Sequence, residues 1–166
     1  MTNALVDIFR YNAWANRQLF KACRSLTAEQ LDTHVAGTSG PVREILMHIA
    51  GAQQTFILRT KGRQHEDELT RQSPWPGIDR LLELAGSTSE ELIAIARQLD
   101  DEAEVDLPYQ GQSYRFPRHF FLLHALAHGV EHRTEVKVAL AHIGVDTPDL
   151  DGWLYATAAG YGQVVG

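Results

Sequence analysis

Four stretches of this chain place apolar side chains three and four residues apart over several turns, a period that commits the chain to packed helices. The first spans residues 3–26, with Leu5, Ile8, Phe9, Ala15, Leu19 and Ala22 as its stripe. The second opens at Pro41, which suits a first helical position because an N–H there would have no partner. Its stripe is Val42, Ile45, Ile49, Ala52 and Phe56. The third spans residues 78–99, with a kink expected near Gly86 and a solvated charge pattern on its polar face. The fourth opens at Pro117, runs to about His142 and stops at Gly144.

Between these segments the chain carries turn chemistry. Thr27 with Gln30 forms a capping box that starts a short helical turn over residues 28–32. Gly37, Thr38, Ser39 and Gly40 form a loop. Residues 64–72 are polar and make a long connection, closed by Ser73-Pro74-Trp75-Pro76-Gly77, whose default place is the surface and whose alternative place is the rim of a pocket. Residues 104–108 and 113–116 alternate in polarity around Gly111, the pattern of a short hairpin or two extended arms. Thr147-Pro148-Asp149 is expected to cap a fifth helix through Ala158, anchored by Trp153, and residues 160–166 to form a frayed tail. The predicted fold is all-α: a four-helix bundle with a short fifth helix and a small hairpin, in one domain over residues 1–166. A chain of 166 residues can bury a core that needs no staples.

Charge and cysteine content narrow the function classes. Fifteen Lys and Arg stand against 21 Asp and Glu, and no basic stretch interleaves with aromatics, so neither nucleic acid nor an anionic membrane is an expected partner. The lone Cys23 excludes an internal disulfide, sits in helical periodicity as a packed small side chain, and fits a reducing cytosol. Residues 1–10 lack the basic and apolar regions of a signal peptide, and no apolar run is long enough to span a bilayer. The expected location is cytoplasmic.

His128 and His132 carry the chemistry. Four residues apart on one helix, they lie one above the other and can reach a single ion. His124 extends the row, but at ~1.5 Å of rise per residue it lies ~12 Å from His132 along the axis, too far to share an ion bound at ~2 Å per nitrogen. A histidine pair on a partly apolar helix serves equally as a hydrogen-bonded core pair. His48 shifts that balance, because it falls three residues after Ile45 and four before Ala52 and so points inward from the second helix.

The run Tyr11-Asn12-x-Trp14-Ala15-Asn16, the segment Leu46-x-His48-Ile49, the sequence His128-x-x-x-His132-Arg133 and the sequence Asp149-Leu150-Asp151-x-Trp153 together resemble the DinB-like (YfiT-like) superfamily of metalloenzymes, across essentially the whole chain. The resemblance implies an up-down-down-up four-helix bundle, a homodimer, and a three-histidine site for zinc or nickel with His48, His128 and His132 as ligands. It also places His124 at a position that is often His but is not usually a ligand. Many members read His-His-Arg-Gly-Gln where this chain reads Glu131-His132-Arg133-Thr134-Glu135, so any role of the first of those histidines does not transfer to Glu131.

Three neutral imidazoles leave an ion its full charge and an open position, the pattern of a catalytic site. Such an ion lowers the pKa of bound water to ~7 and stabilises a thiolate. The resemblance implies a metal-dependent transferase, isomerase or hydrolase that activates a low-molecular-weight thiol or water against an electrophilic small-molecule substrate. Glu131 and Glu135 are candidate bases by proximity, with Glu131 read as a solvent-facing charge. Tyr11, Asn12, Trp14 and Asn16 read as packing with satisfied amides, Asn16 alternatively supporting a ligating histidine. Two other classes stand beside the enzyme: a non-catalytic metal-binding or stress-response bundle, and a bundle whose histidines are purely structural.

Overall fold

Helix α1, Ala4–Ala22, begins where Asn3 turns its side-chain oxygen onto the backbone N–H groups of Leu5 and Val6, satisfying donors that have no partner inside the helix. In the computed structural model, which describes residues 3–64, 69–100 and 102–162, the expected end of this helix is a 3-10 turn, Cys23–Ser25. The stripe of α1 is also rotated from the expected one. Ile8 is exposed, whereas Val6, Asn12, Asn16 and Phe20 join Phe9, Ala15 and Leu19 inside, because the helix faces two neighbours rather than one.

The capping box closes as the sequence implies: Gln30 N donates to Thr27 Oγ1 and Thr27 N donates to Gln30 Oε1, starting the short α2, Ala28–Leu31. Helix α3, Val42–Thr60, follows Pro41, which sits as its cap. Helix α4, Ile78–Gln98, runs continuously through Gly86. Strands β1, Glu104–Tyr109, and β2, Gln112–Pro117, pair antiparallel with Val105 opposite Phe116 and Leu107 opposite Tyr114. The chain is therefore mostly helical with a small two-stranded sheet, so the hairpin rather than two separate arms is the outcome. Helix α5, Arg118–His142, starts directly from β2. Helix α6, Gly152–Ala159, starts later than expected, because Asp151 rather than the Thr147–Asp149 turn caps it, through Leu154 N at 2.9 Å.

Helix α1 packs on α4, α4 on α3, α3 on α5 and α5 on α1. Their inner faces form two clusters. One is built around Leu19, Ile45, Leu46, Leu81 and Leu140, the other around Phe9, Phe56, Leu92 and Leu122. Gln53 adds a buried polar tie between α3 and α4, accepting from Thr88 Oγ1 at 2.9 Å and donating to Ser89 Oγ at 3.3 Å. Cys23 is packed in the first cluster, as its periodicity implies. Among the described residues, no helix is long and apolar enough to cross a membrane.

Trp153 does not anchor α6. It is 84% exposed, and Tyr155, two residues on, takes that role by packing edge-on against Tyr11 and tilted against Trp14. The two positions face opposite sides of a short helix, and pattern alone leaves open which side meets α1. Of the tail, Gly160 ends α6 with a left-handed φ of 71° and Tyr161 packs on Tyr155; residues 163–166 lie outside the described ones.

Candidate metal centre

The contact between α3 and α5 brings the three expected ligands together. One nitrogen from each of His48, His128 and His132 lies within 4.8 Å of the other two. The His48 and His128 Nε2 atoms are 2.8 Å apart, within hydrogen-bond distance, and the three ring centroids are 4.3–4.6 Å apart. Two nitrogens each ~2.1 Å from one ion are at most ~4.2 Å apart, so a small side-chain rotation converts this triangle into a ligand set. His124 stays outside it, exposed, with its ring 4.6 Å from Phe56 and 6.2 Å from His128.

The His48 and His128 rings are held in the neutral form that ligates a metal. Burial, with Arg71 and His132 adding to it, pushes the His48 imidazole down to about 4. Burial, with the neighbouring histidines adding to it, pushes His128 down to about 3. Both rings are thus neutral near pH 7 and keep a lone pair for a ligand. His132 is fixed differently. Its Nδ1–H donates to Glu135 Oε2 at 2.8 Å, which leaves the Nε2 lone pair for a metal.

Glu135 is in turn held by Ser39, whose hydroxyl donates to the same oxygen at 2.6 Å. Burial pushes the Glu135 carboxyl upward, but the hydrogen bonds from Ser39 and His132 outweigh it and hold the group below the ordinary carboxylate range. Arg71 completes the chain by donating to the Ser39 carbonyl at 2.7 Å and to its hydroxyl at 2.9 Å. A glycine makes this possible. A Cβ on Gly51 would sit 1.9 Å from the Leu69 carbonyl oxygen, so only glycine lets the segment carrying Arg71 close down on α3.

That segment roofs a cavity of about 420 Å³ whose lining includes His48, His128, Phe56, Arg59, Arg71 and His124. Residues 69–72 of the expected long connection are therefore rim, not plain surface; residues 65–68 lie outside the described ones. Neither candidate base lines this cavity: Glu131 is exposed, as read from its position, and Glu135 serves His132.

Asn16 does not support a histidine. With Asn12, it accepts from Arg133 Nη1, both at 2.7 Å, in a buried amide cradle on the far side of α5. Arg133 is only 2% exposed, and Gly129 makes room for it, since a Cβ there would lie 2.8 Å from the guanidinium. Tyr11 belongs to the same packing layer and donates to the Leu150 carbonyl at 2.9 Å.

Ser39, Arg59 and Arg71 carry no motif in the sequence. One signal pointed toward them: Gly51, a helix-interior glycine three residues after His48, where glycine is unfavourable unless another backbone approaches closely.

Comparison with known proteins agrees with this architecture. Protein DinB of Bacillus subtilis (strain 168) is 23% identical over 164 residues, covering 93% of this chain and 95% of that protein. The crystal structure of a DinB-like protein from Bacillus cereus ATCC 10987 matches with a TM-score of 0.66 at 18% identity, covering 87% of this chain and 94% of that one, a likeness of fold. The model of the DinB family matches residues 1–163. The chain belongs to the DinB family.

Proposed function

We propose that this protein is a metal-dependent enzyme in which His48, His128 and His132 hold one divalent ion, zinc or nickel, and a small thiol or water attacks an electrophilic small molecule in the adjoining cavity. The observation that carries the reading is the convergence of three histidine nitrogens within 4.8 Å beside an open space of about 420 Å³. Three protein ligands leave a position for a non-protein one, and a structural site would use four. When bound, the ion supplies Lewis acidity and a lowered pKa for the attacking thiol or water.

The chain's own residues do the rest. Glu135 sets the His132 tautomer, and burial keeps His48 and His128 unprotonated. Arg71 ties the roof to Ser39 and brings a positive charge to the cavity. The ring of helix contacts, α1 to α4 to α3 to α5 to α1, supports the up-down-down-up four-helix bundle. Exposed Val130 and Val138 on α5 and Trp153 and Leu154 on α6 support self-association as a homodimer. A low-molecular-weight thiol as cosubstrate and a cytoplasmic location belong to the same reading.

The test is metal content by elemental mass spectrometry on tag-free protein, comparing wild type with His48→Ala and His132→Ala. About one zinc or nickel per chain, lost in both variants, is expected. Wild type that takes up no metal even after anaerobic addition overturns the reading. Metal uptake with neither thiol consumption nor hydrolysis in a screen against electrophiles leaves a metal-binding bundle and removes the enzyme.

A further inference from the structure

Beside the histidine cavity lies a second one, of about 560 Å³, that the chemistry above does not use. The two share Arg59 and His124 in their linings, so they meet at those side chains. The hairpin explains its character. In an antiparallel pair, residues directly opposite share a face, so Val105, Leu107, Tyr109, Tyr114 and Phe116 lie together on one side. The other side carries Glu104, Asp106 and Arg115, with Asp106 and Arg115 paired at 2.8 Å.

The apolar face is only partly covered by the protein. Leu107 is buried, but Tyr109 and Tyr114 are exposed, and Phe120 at the start of α5 is exposed as well. Phe116 stacks on Phe120 with ring centroids 5.7 Å apart and planes 15° apart, and meets Phe121 edge-on at 5.4 Å. The space these rings border is the second cavity. Gln64, on its edge, is tied to the Pro108 carbonyl at 2.7 Å, which holds the hairpin over α3.

Charge points the same way in both cavities. Arg59 stands in the linings of both cavities and Arg71 in that of the first. A cation at the junction of an aromatic chamber and a histidine chamber selects a ligand with an apolar body and an anionic group next to it.

We propose that the chamber between the hairpin and the start of α5 binds the planar, apolar body of a small organic anion, with its carboxylate or similar group on Arg59 and its reactive end directed toward the histidines. This names the substrate class for the function proposed above and rests on it for the reaction, whereas the binding itself requires no metal. Arg59 is the residue that sets specificity, Phe116 and Phe120 are the stacking surface, and the hairpin is the wall that makes the chamber.

Isothermal titration calorimetry of the full chain, stripped of metal with a chelator, tests this with 2-naphthoate and its neutral isostere 2-naphthalenemethanol as probes. Wild type is expected to bind 2-naphthoate and to prefer it over the alcohol by about tenfold or more, the scale of one charge-assisted hydrogen-bonded contact. Arg59→Met is expected to remove that preference and Arg59→Lys to restore part of it, both with an unchanged thermal midpoint. Phe120→Ala, at an exposed position, is expected to weaken both probes equally. No binding of 2-naphthoate to wild type, or equal preference in wild type and Arg59→Met, overturns the assignment. His48→Ala separates the two readings. Binding retained there supports the chamber even if the wild type proves metal-free, whereas loss of binding places the carboxylate on the histidines and overturns the role of Arg59.

Discussion

Glu135 Oε2 lies 2.8 Å from His132 Nδ1 and 2.6 Å from the hydroxyl of Ser39, a residue 96 positions away in the chain. One carboxylate oxygen thereby orients a histidine ring on its own helix and receives the loop that precedes α3. The ring cannot turn its Nδ1 toward the other histidines without giving up a charge-assisted bond.

Removing that bond frees the ring and is expected to lower metal affinity by about 10- to 100-fold in Glu135→Ala, the usual scale for a carboxylate that orients a ligating histidine. Glu135→Gln, which still accepts through its amide oxygen, is expected to lose less. Competition against a chromogenic chelator measures both variants. An affinity within about twofold of wild type in Glu135→Ala would show that the ring is oriented by packing alone.

Gly51 and Gly86 both occupy helix interiors, and alanine there is expected to act with opposite sign. At Gly51 a Cβ meets the Leu69 carbonyl at 1.9 Å, so Gly51→Ala must push the roofing segment away, at a cost of about 1–3 kcal/mol. At Gly86 a Cβ meets nothing within 4 Å, so Gly86→Ala is expected to stabilise by about 0.5–1 kcal/mol through backbone entropy. Urea unfolding midpoints of the two variants against wild type give the comparison. The same sign in both would contradict the close approach of Leu69 to α3.

Cys23 links pH to stability at the alkaline end. Burial pushes its thiol from an ordinary value of 9.0 up to about 12. Between those values the unfolded chain releases a proton that the folded chain retains, so the unfolded state is favoured as pH rises. The expected loss sets in from about pH 8 and steepens to about 1.4 kcal/mol per pH unit above 9. Unfolding midpoints of wild type and Cys23→Ala between pH 8 and pH 10.5 are expected to diverge, with wild type falling faster. Parallel curves would mean that the folded thiol ionises as readily as the unfolded one.

Much of this architecture is legible along the chain because it depends on neighbours within a few residues. The Thr27 and Gln30 capping box, the pattern on either side of Gly111 and the prolines at 41 and 117 each act locally, and each marks an element that is present within a residue or so. The histidine set is legible for the same reason: helical spacing puts His128 above His132 and sends His48 inward, and two inward faces on packed helices meet.

What pattern could not supply is the identity of each face's partner. Ile8 falls on the apolar period of α1 yet is exposed, and Trp153 falls in an apolar run yet is 84% exposed, because burial depends on where the neighbouring element lies. Asn16 lies on the buried side of α1, and its contact is Arg133 rather than a histidine, since rotation about the helix axis decides which part of α5 it meets. Helical period and caps act over one or two turns and are therefore written in consecutive residues. The triangle of histidines, the hold of Ser39 on Glu135, the descent of Leu69 onto Gly51 and the chamber beneath the hairpin join residues tens of positions apart. Their existence depends on interhelical packing and loop closure, and a one-dimensional pattern does not encode those distances.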